Sequence, residues 1–232
     1  MLVRSRWRYW PRLIWDRGAM RIGPLIRRSF GPLERPVTEL YRRAFIDLDE
    51  FARITAAWVP DPRQILEIGC GEGALTERLV RAFPAAAIRA IDITPAVGRL
   101  FRGDPMRVTF RQEEAGDLAR SEQSSFDLIV MCDVLHHVPP PARRDLLSAA
   151  QRLFSPQGAF VFKDWSPSAT PIHWICDAAD RYITGDDVRH HTVDEARALL
   201  NDIFGAGAVR KKRHVRPWAN NFAFLVRSDG RR

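Results

Sequence analysis

Three glycines at alternate positions, Gly69, Gly71 and Gly73, follow the acid Glu67 and close a branched apolar run, Ile65-Leu66-Glu67-Ile68. Ala74 to Val80 then repeats apolar residues at helical spacing, so the stretch reads as strand, tight turn and helix. Glycines at such a turn let the backbone bend sharply and approach a ligand, and the new helix begins with backbone N–H groups that have no partner in its own first turn. That chemistry is the cradling of a nucleotide-like cofactor. The spacing Gly69-x-Gly71-x-x-Ala74 also fits a dinucleotide loop. Glu67 separates the two readings, because a carboxylate there suits an ammonium group or the loop's own N–H groups and repels a pyrophosphate.

Further acids and imidazoles recur at strand ends. Asp92 closes the run Ala87 to Ile93 and lies 19 residues beyond Gly73, close to the ~20 at which an open α/β fold sets an acid against ribose hydroxyls. A helix cap ahead of Thr94-Pro95 is its rival role. Ser125-Phe126-Asp127-Leu128-Ile129-Val130-Met131-Cys132-Asp133-Val134-Leu135-His136-His137-Val138 reads as a buried strand followed by a short polar step. Neighbouring residues on a helix point about 100° apart, so at most one of His136 and His137 faces a pocket; each is either a general base or a capping or packing histidine. Lys163-Asp164 ends the strand Ala159 to Trp165, as acceptor contacts or as an internal ion pair.

The glycine loop and the Ser125–Val138 segment closely resemble the class I S-adenosylmethionine-dependent methyltransferases, whose first motif has the form E-x-G-x-G-x-G. The resemblance implies S-adenosyl-L-methionine as cofactor, with Glu67, Gly69, Cys70, Gly71 and Gly73 around its methionine part. It implies Asp92 and Ile93 at the ribose, and Glu114 with Ala115 at the adenine after the third strand, Arg107 to Arg111. Glutamate stands where aspartate is usual there, and Glu113 is a rival. Cys132 and Asp133 are implied beside the sulfonium and Leu135 over the adenosine, with His137, His136 and Asp133 as catalytic candidates. Tyr41 and Arg42, on a helix expected over Thr38 to Val59, are further candidates for reaching the cofactor. Residues 166–193 form an insertion of the kind that caps the acceptor in this family, so Lys163, Asp164, His173 and His190 are substrate-binding candidates. No metal is expected, since neither an H-x-x-x-H pair nor a compact ligand cluster is evident in the sequence.

The elements that must position these residues alternate strand and helix. Helices follow the glycine loop, Pro141 to Phe154 and Val193 to Phe204, and the turn Ser155-Pro156-Gln157-Gly158 leads into the fifth strand. Two closing strands, Ala208 to Arg213 and Phe222 to Arg227, give an antiparallel pair that argues against an all-parallel dehydrogenase fold. The expectation is α/β: a doubly wound, mostly parallel seven-stranded sheet with a C-terminal antiparallel hairpin, over residues 37–232, behind a helical N-terminal extension, residues 1–36.

The chain of 232 residues, 46% apolar and 28% charged, fits one domain with a large core plus a small appendage. Its three cysteines are widely spaced and odd in number, so neither a disulfide framework nor a thiolate zinc site is indicated, and a reducing, cytoplasmic setting fits. Residues 1–36 carry nine arginines against Asp16 and Glu34, which accounts for +7 of the net +8. The rest is nearly neutral, so nucleic acid is not the expected partner of the core. The extension has no apolar run near the ~20 residues a membrane span needs. Its mixed tryptophans and arginines suit a peripheral membrane contact, a lid over the active site, or an organelle presequence.

The leading expectation is methyl transfer to a hydroxyl of a small, hydrophobic metabolite or lipid. Its rivals are RNA or protein methylation, suggested by residues 1–36 and Arg210-Lys211-Lys212-Arg213, a cofactor-binding scaffold without turnover, and, last, a nicotinamide dehydrogenase.

Overall fold

The computed structural model describes residues 45–167 and 189–227, together with Pro36, Glu39 and Arg43. The expected 1–36 extension, Tyr41, Arg42 and His173 therefore lie outside the described residues, apart from Pro36. Seven strands form one sheet in the order β3-β2-β1-β4-β5-β7-β6. β1 (Gln64–Ile68), β2 (Ala87–Asp92), β3 (Val108–Gln112), β4 (Phe126–Cys132) and β5 (Phe154–Trp165) pair in parallel with their neighbours. β7 (Asn221–Val226) runs antiparallel to β5, and β6 (Val209–His214) antiparallel to β7. The helices are α1 (Leu48–Trp58), α2 (Ala74–Ala82), α3 (Ala115–Ser121), α4 (Pro140–Leu153) and α5 (Val193–Phe204), with 3-10 turns at Pro105–Arg107 and Leu135–His137.

Alternation along the central strands explains the two-sided core. Leu66, Ile68, Ile129, Met131 and Phe162 point to the side covered by α3, α4 and α5. Ile65, Leu128, Val130 and Val161 point to the side covered by α1 and α2. A strand buried on both faces reads as a continuous apolar run, and β4 and β7 do. The order reverses between β1 and β4, and the crevice beyond the carboxyl ends of strands at such a switch point is where open α/β sheets bind ligands.

Three local expectations are corrected. The helix expected over Thr38 to Val59 is interrupted at Ile46 and Asp47, because Asp47 leaves helical geometry and its side chain accepts from Glu50 N at 2.8 Å, capping α1. No helix starts at Thr94-Pro95; residues 93–100 are turns pinned by Gly98 N to Gly71 O at 2.9 Å and Leu100 N to Glu72 O at 3.0 Å. The turn expected at Ser155–Gly158 is part of β5, which starts at Phe154 and takes up the change as a register irregularity against β4.

Candidate active site

The glycine loop leaves β1 with all three glycines at positive φ: +78° at Gly69, +51° at Gly71 and +93° at Gly73, which caps α2. A side chain at Gly69 would strike Val134 Cγ2 at 2.2 Å, and one at Gly73 would press on Phe101 Cβ at 3.0 Å. At Gly71 a Cβ would meet nothing within 4 Å. The loop is thus close-packed beneath and open at its middle glycine, the arrangement of a cradle.

Asp92 holds this cradle. Its Oδ2 accepts from Gly71 N at 2.7 Å and its Oδ1 from Thr94 N at 2.8 Å. Of the two roles open to Glu67, holding the loop's N–H groups falls to Asp92 instead. Glu67 is 2% exposed and its Oε2 has no hydrogen-bond partner among the described residues. Burial pushes its carboxyl up to about 8, with a contact to Thr76 lowering it and the nearby Asp92 charge raising it. Cys70 and Cys132 have their thiols pushed up, chiefly by burial, so neither has the low pKa of a reactive thiolate.

A cavity of about 470 Å³ opens beyond the loop, inside the range for small-molecule sites. Gly69, Asp92, Ile93, Glu113, Glu114, Ala115, Asp133 and His137 line it. Both rival acids of the third strand therefore reach the cavity. Glu113 Oε2 is buried without a hydrogen-bond partner among the described residues, as an acceptor waiting for a ligand's donor would be. Glu114 caps α3 through its backbone alone, and burial raises its carboxyl while Arg120 lowers it. The N–H groups opening α3 at Ala115 are in excess of what the helix can pair.

At the other end, β4 and β5 bring together the polar groups of the fourth and fifth motifs. Asp133 sits at φ +55°, a conformation that costs a non-glycine residue about 1–3 kcal/mol. Its carboxylate is fixed by Lys163 Nζ at 2.7 and 2.8 Å from the two oxygens, and Lys163 is fully buried. The next residue, Asp164, turns to the opposite face of the strand. There it meets His136 Nδ1, Trp165 N at 2.9 Å and His191 Nε2 at 3.5 Å. Burial alone would raise the Asp164 carboxyl, but His136, His191 and the Trp165 N–H together hold it well below the usual carboxylate range. Burial pushes His191 toward its neutral form against the pull of Asp164.

The two histidines of the 3-10 turn divide as their spacing requires. His137 lines the cavity and His136 is buried against Asp164, with the two rings 4.1 Å apart. His190 stacks on His136 at 5.5 Å, and Arg189 N donates to His136 O at 3.1 Å. Arg143 of α4 ties both segments by donating to Val138 O at 2.9 Å and to Arg189 O. Asp133, His136 and Asp164 offer ligand atoms within 4.8 Å of one another, but Lys163 already neutralises Asp133. Cys132, Lys163, Asp164 and His190 are not among the residues that line the cavity, and His190 stacks on His136. Sequence reasoning gave no role to His191, whose partner Asp164 is distant in the chain, or to Arg143, which joins the nearby Val138 to the distant Arg189, and it missed the outer wall from α3 and α4, with Arg120, Asp145, Ser148 and Arg152. The i, i+3, i+7 spacing of the last three was the available signal.

Comparison with known proteins matches residues 65–158 to the family described as a methyltransferase domain. The ubiquinone biosynthesis O-methyltransferase of Xanthomonas oryzae pv. oryzae is 32% identical over 99 residues, 41% of this chain and 40% of that protein. The protein of the same name from Alkalilimnicola ehrlichii is 36% identical over 104 residues, 43% of this chain and 40% of that one. The chain thus spans about 40% of the length of these curated relatives. Burkholderia thailandensis 1,6-didemethyltoxoflavin-N1-methyltransferase, solved with S-adenosylhomocysteine, superposes with a TM-score of 0.63 at 18% identity, covering 91% of this chain and 90% of that one. A mitomycin 7-O-methyltransferase superposes with a TM-score of 0.63 at 17% identity, covering 95% and 60%. Both likenesses are of fold.

Proposed function

We propose, from the match of residues 65–158 to the methyltransferase-domain family and from the shared fold, that this chain is a class I S-adenosylmethionine-dependent methyltransferase and that it methylates a hydroxyl oxygen of a small, hydrophobic acceptor. One observation carries the reading: a single cavity runs from the glycine cradle to Asp133 and His137. The cradle fits the cofactor, because Gly71 faces open space and Glu113 offers an unused carboxylate oxygen. Gly69 to Gly73 would hold the methionine part, Asp92 the ribose, and Glu113 or Glu114 with the Ala115 N–H the adenine. Oxygen is favoured as acceptor atom by the names of the curated relatives.

When bound, S-adenosylmethionine supplies the methyl carbon as an electrophile, which the acceptor oxygen takes as the carbon–sulfur bond breaks. The protein's own task is to align the acceptor, exclude water and receive one proton. His137 is the cavity-lining imidazole placed to take that proton, and His136 supports its ring from behind, itself held by Asp164. Asp133, immobilised by Lys163, fixes the acceptor by accepting a hydrogen bond.

The test is product mass and position after incubation with the cofactor and a panel of phenols, alcohols, amines and RNA. Methylated phenols or alcohols are expected, and products confined to amines or RNA would overturn the reading. His137→Gln is expected to lower kcat by about 10² to 10³ with cofactor affinity unchanged; full activity in that variant removes His137 from the role.

A further inference from the structure

We propose that the cationic edge of β6, with the groove between it and α1, docks the protein on an anionic membrane surface and brings the acceptor end of the cavity near that surface. Arg210, Lys211, Lys212, Arg213 and His214 follow one another along β6, and all five are exposed. Among the described residues β6 is the edge of the sheet, with β7 as its one strand neighbour. Since residues 37–232 are nearly neutral in total, this density of charge is local. Among the described residues no ion pair neutralises Lys211, Lys212 or Arg213, whereas nearby Arg216 is held by Asp47 at 3.3 Å and Glu50 at 3.1 Å.

The chemistry beside the strand selects the partner. An open groove of about 780 Å³ between α1 and β6 is lined by the apolar Ile54, Ala57 and Trp58 and by the cations Arg53, Lys211, Lys212 and Arg213, with Glu50, which already accepts from Arg216, as its one acid. Cations over an apolar strip match the layering of an anionic lipid surface, phosphate above hydrocarbon. Trp218, 37% exposed between β6 and β7, adds an aromatic of the kind enriched at membrane interfaces. A single-stranded nucleic acid would instead call for a row of stacking aromatics along the cationic track.

Register places this face with respect to the site. Lys212, Arg213 and His214 pair with Phe224, Ala223 and Phe222 on β7, and these pair with Phe162, Lys163 and Asp164 on β5. At ~4.8 Å per strand, the cationic edge lies roughly 10 Å from the Lys163–Asp164 pair. The adenine end of the cavity, at β2 and β3, is on the other side of the switch point. A protein seated on this edge therefore has the acceptor end of its cavity, at the tip of β4, nearer the lipid than the adenine end.

Flotation of the full chain with phosphatidylcholine vesicles, with and without phosphatidylglycerol, tests the proposal. Association is expected only with the anionic vesicles, weakening as salt is raised. Each surface cation contributes roughly a fivefold factor, so Lys211→Gln, Lys212→Gln and Arg213→Gln together should reduce partitioning about a hundredfold. Retained binding of S-adenosylhomocysteine by the triple variant shows that it is folded. Equal binding to neutral vesicles, or unchanged partitioning of the triple variant, overturns the proposal; the cations then serve only to block strand addition at the edge, or residues 1–36 make the contact. Binding of a single-stranded RNA oligonucleotide, lost in the variant, with no vesicle binding by the parent, overturns it in favour of nucleic acid. Vesicle binding is read without turnover, so its failure leaves the methyl-transfer reading intact.

Discussion

The Glu67 carboxyl, kept neutral mainly by burial, makes stability depend on pH in a definite direction. In the unfolded chain it ionises near its ordinary 4.5, and in the folded protein it keeps its proton up to about 8. Between those values the unfolded state gains from ionising and the folded state does not, so stability falls as pH rises through the window, by on the order of a few kcal/mol. Glu67→Gln is expected to flatten that slope and to be more stable than the parent at the alkaline end, measured by chemical denaturation across the window. Asp164 has the opposite sign: its lowered pKa adds stability above the ordinary carboxylate range, lost as pH falls. Gly71→Val tests the cradle, since the branched side chain enters open space at φ +51°. Cofactor binding by calorimetry should fall below detection, at a cost of about 1–3 kcal/mol in stability. The glycines and Asp92 were legible because motif and spacing are local. That Asp92 also grips Gly71 N was not, because the contact spans a crossover.

The 3-10 turn Leu135–His137 and residues 189–191 converge on one buried guanidinium. Arg143→Met leaves Val138 O and Arg189 O without their donor, and should cost about 2–4 kcal/mol in urea unfolding. Acceptor KM should rise while cofactor affinity holds; a fall in cofactor affinity instead would place the clamp on the wrong end of the cavity. The strand–glycine–helix unit, β4 and the closing hairpin were readable from period and composition alone. The break in the first helix was missed, although Asp47-Leu48-Asp49-Glu50 offers a capping pattern inside the apolar-periodic run. The pairing of His191 with Asp164 was not readable, because nothing local says which strand end a distant histidine will meet.

Across the whole molecule, the late hairpin decides whether the domain is finished. Every residue of β7 is buried, and it lies between β5 and β6 although it comes last of the strands in the chain. A chain stopped before Asn221 should keep the residues that line the cavity and yet be insoluble, as centrifugation of expressed protein would show; a soluble, cofactor-binding fragment would contradict this. Until that final strand leaves the ribosome, β5 presents a bare row of amide and carbonyl groups flanked by Phe160 and Phe162. Synthesis therefore passes through an interval in which the growing polypeptide can pair with a copy of itself, and chaperone capture matters most over the closing stretch of translation.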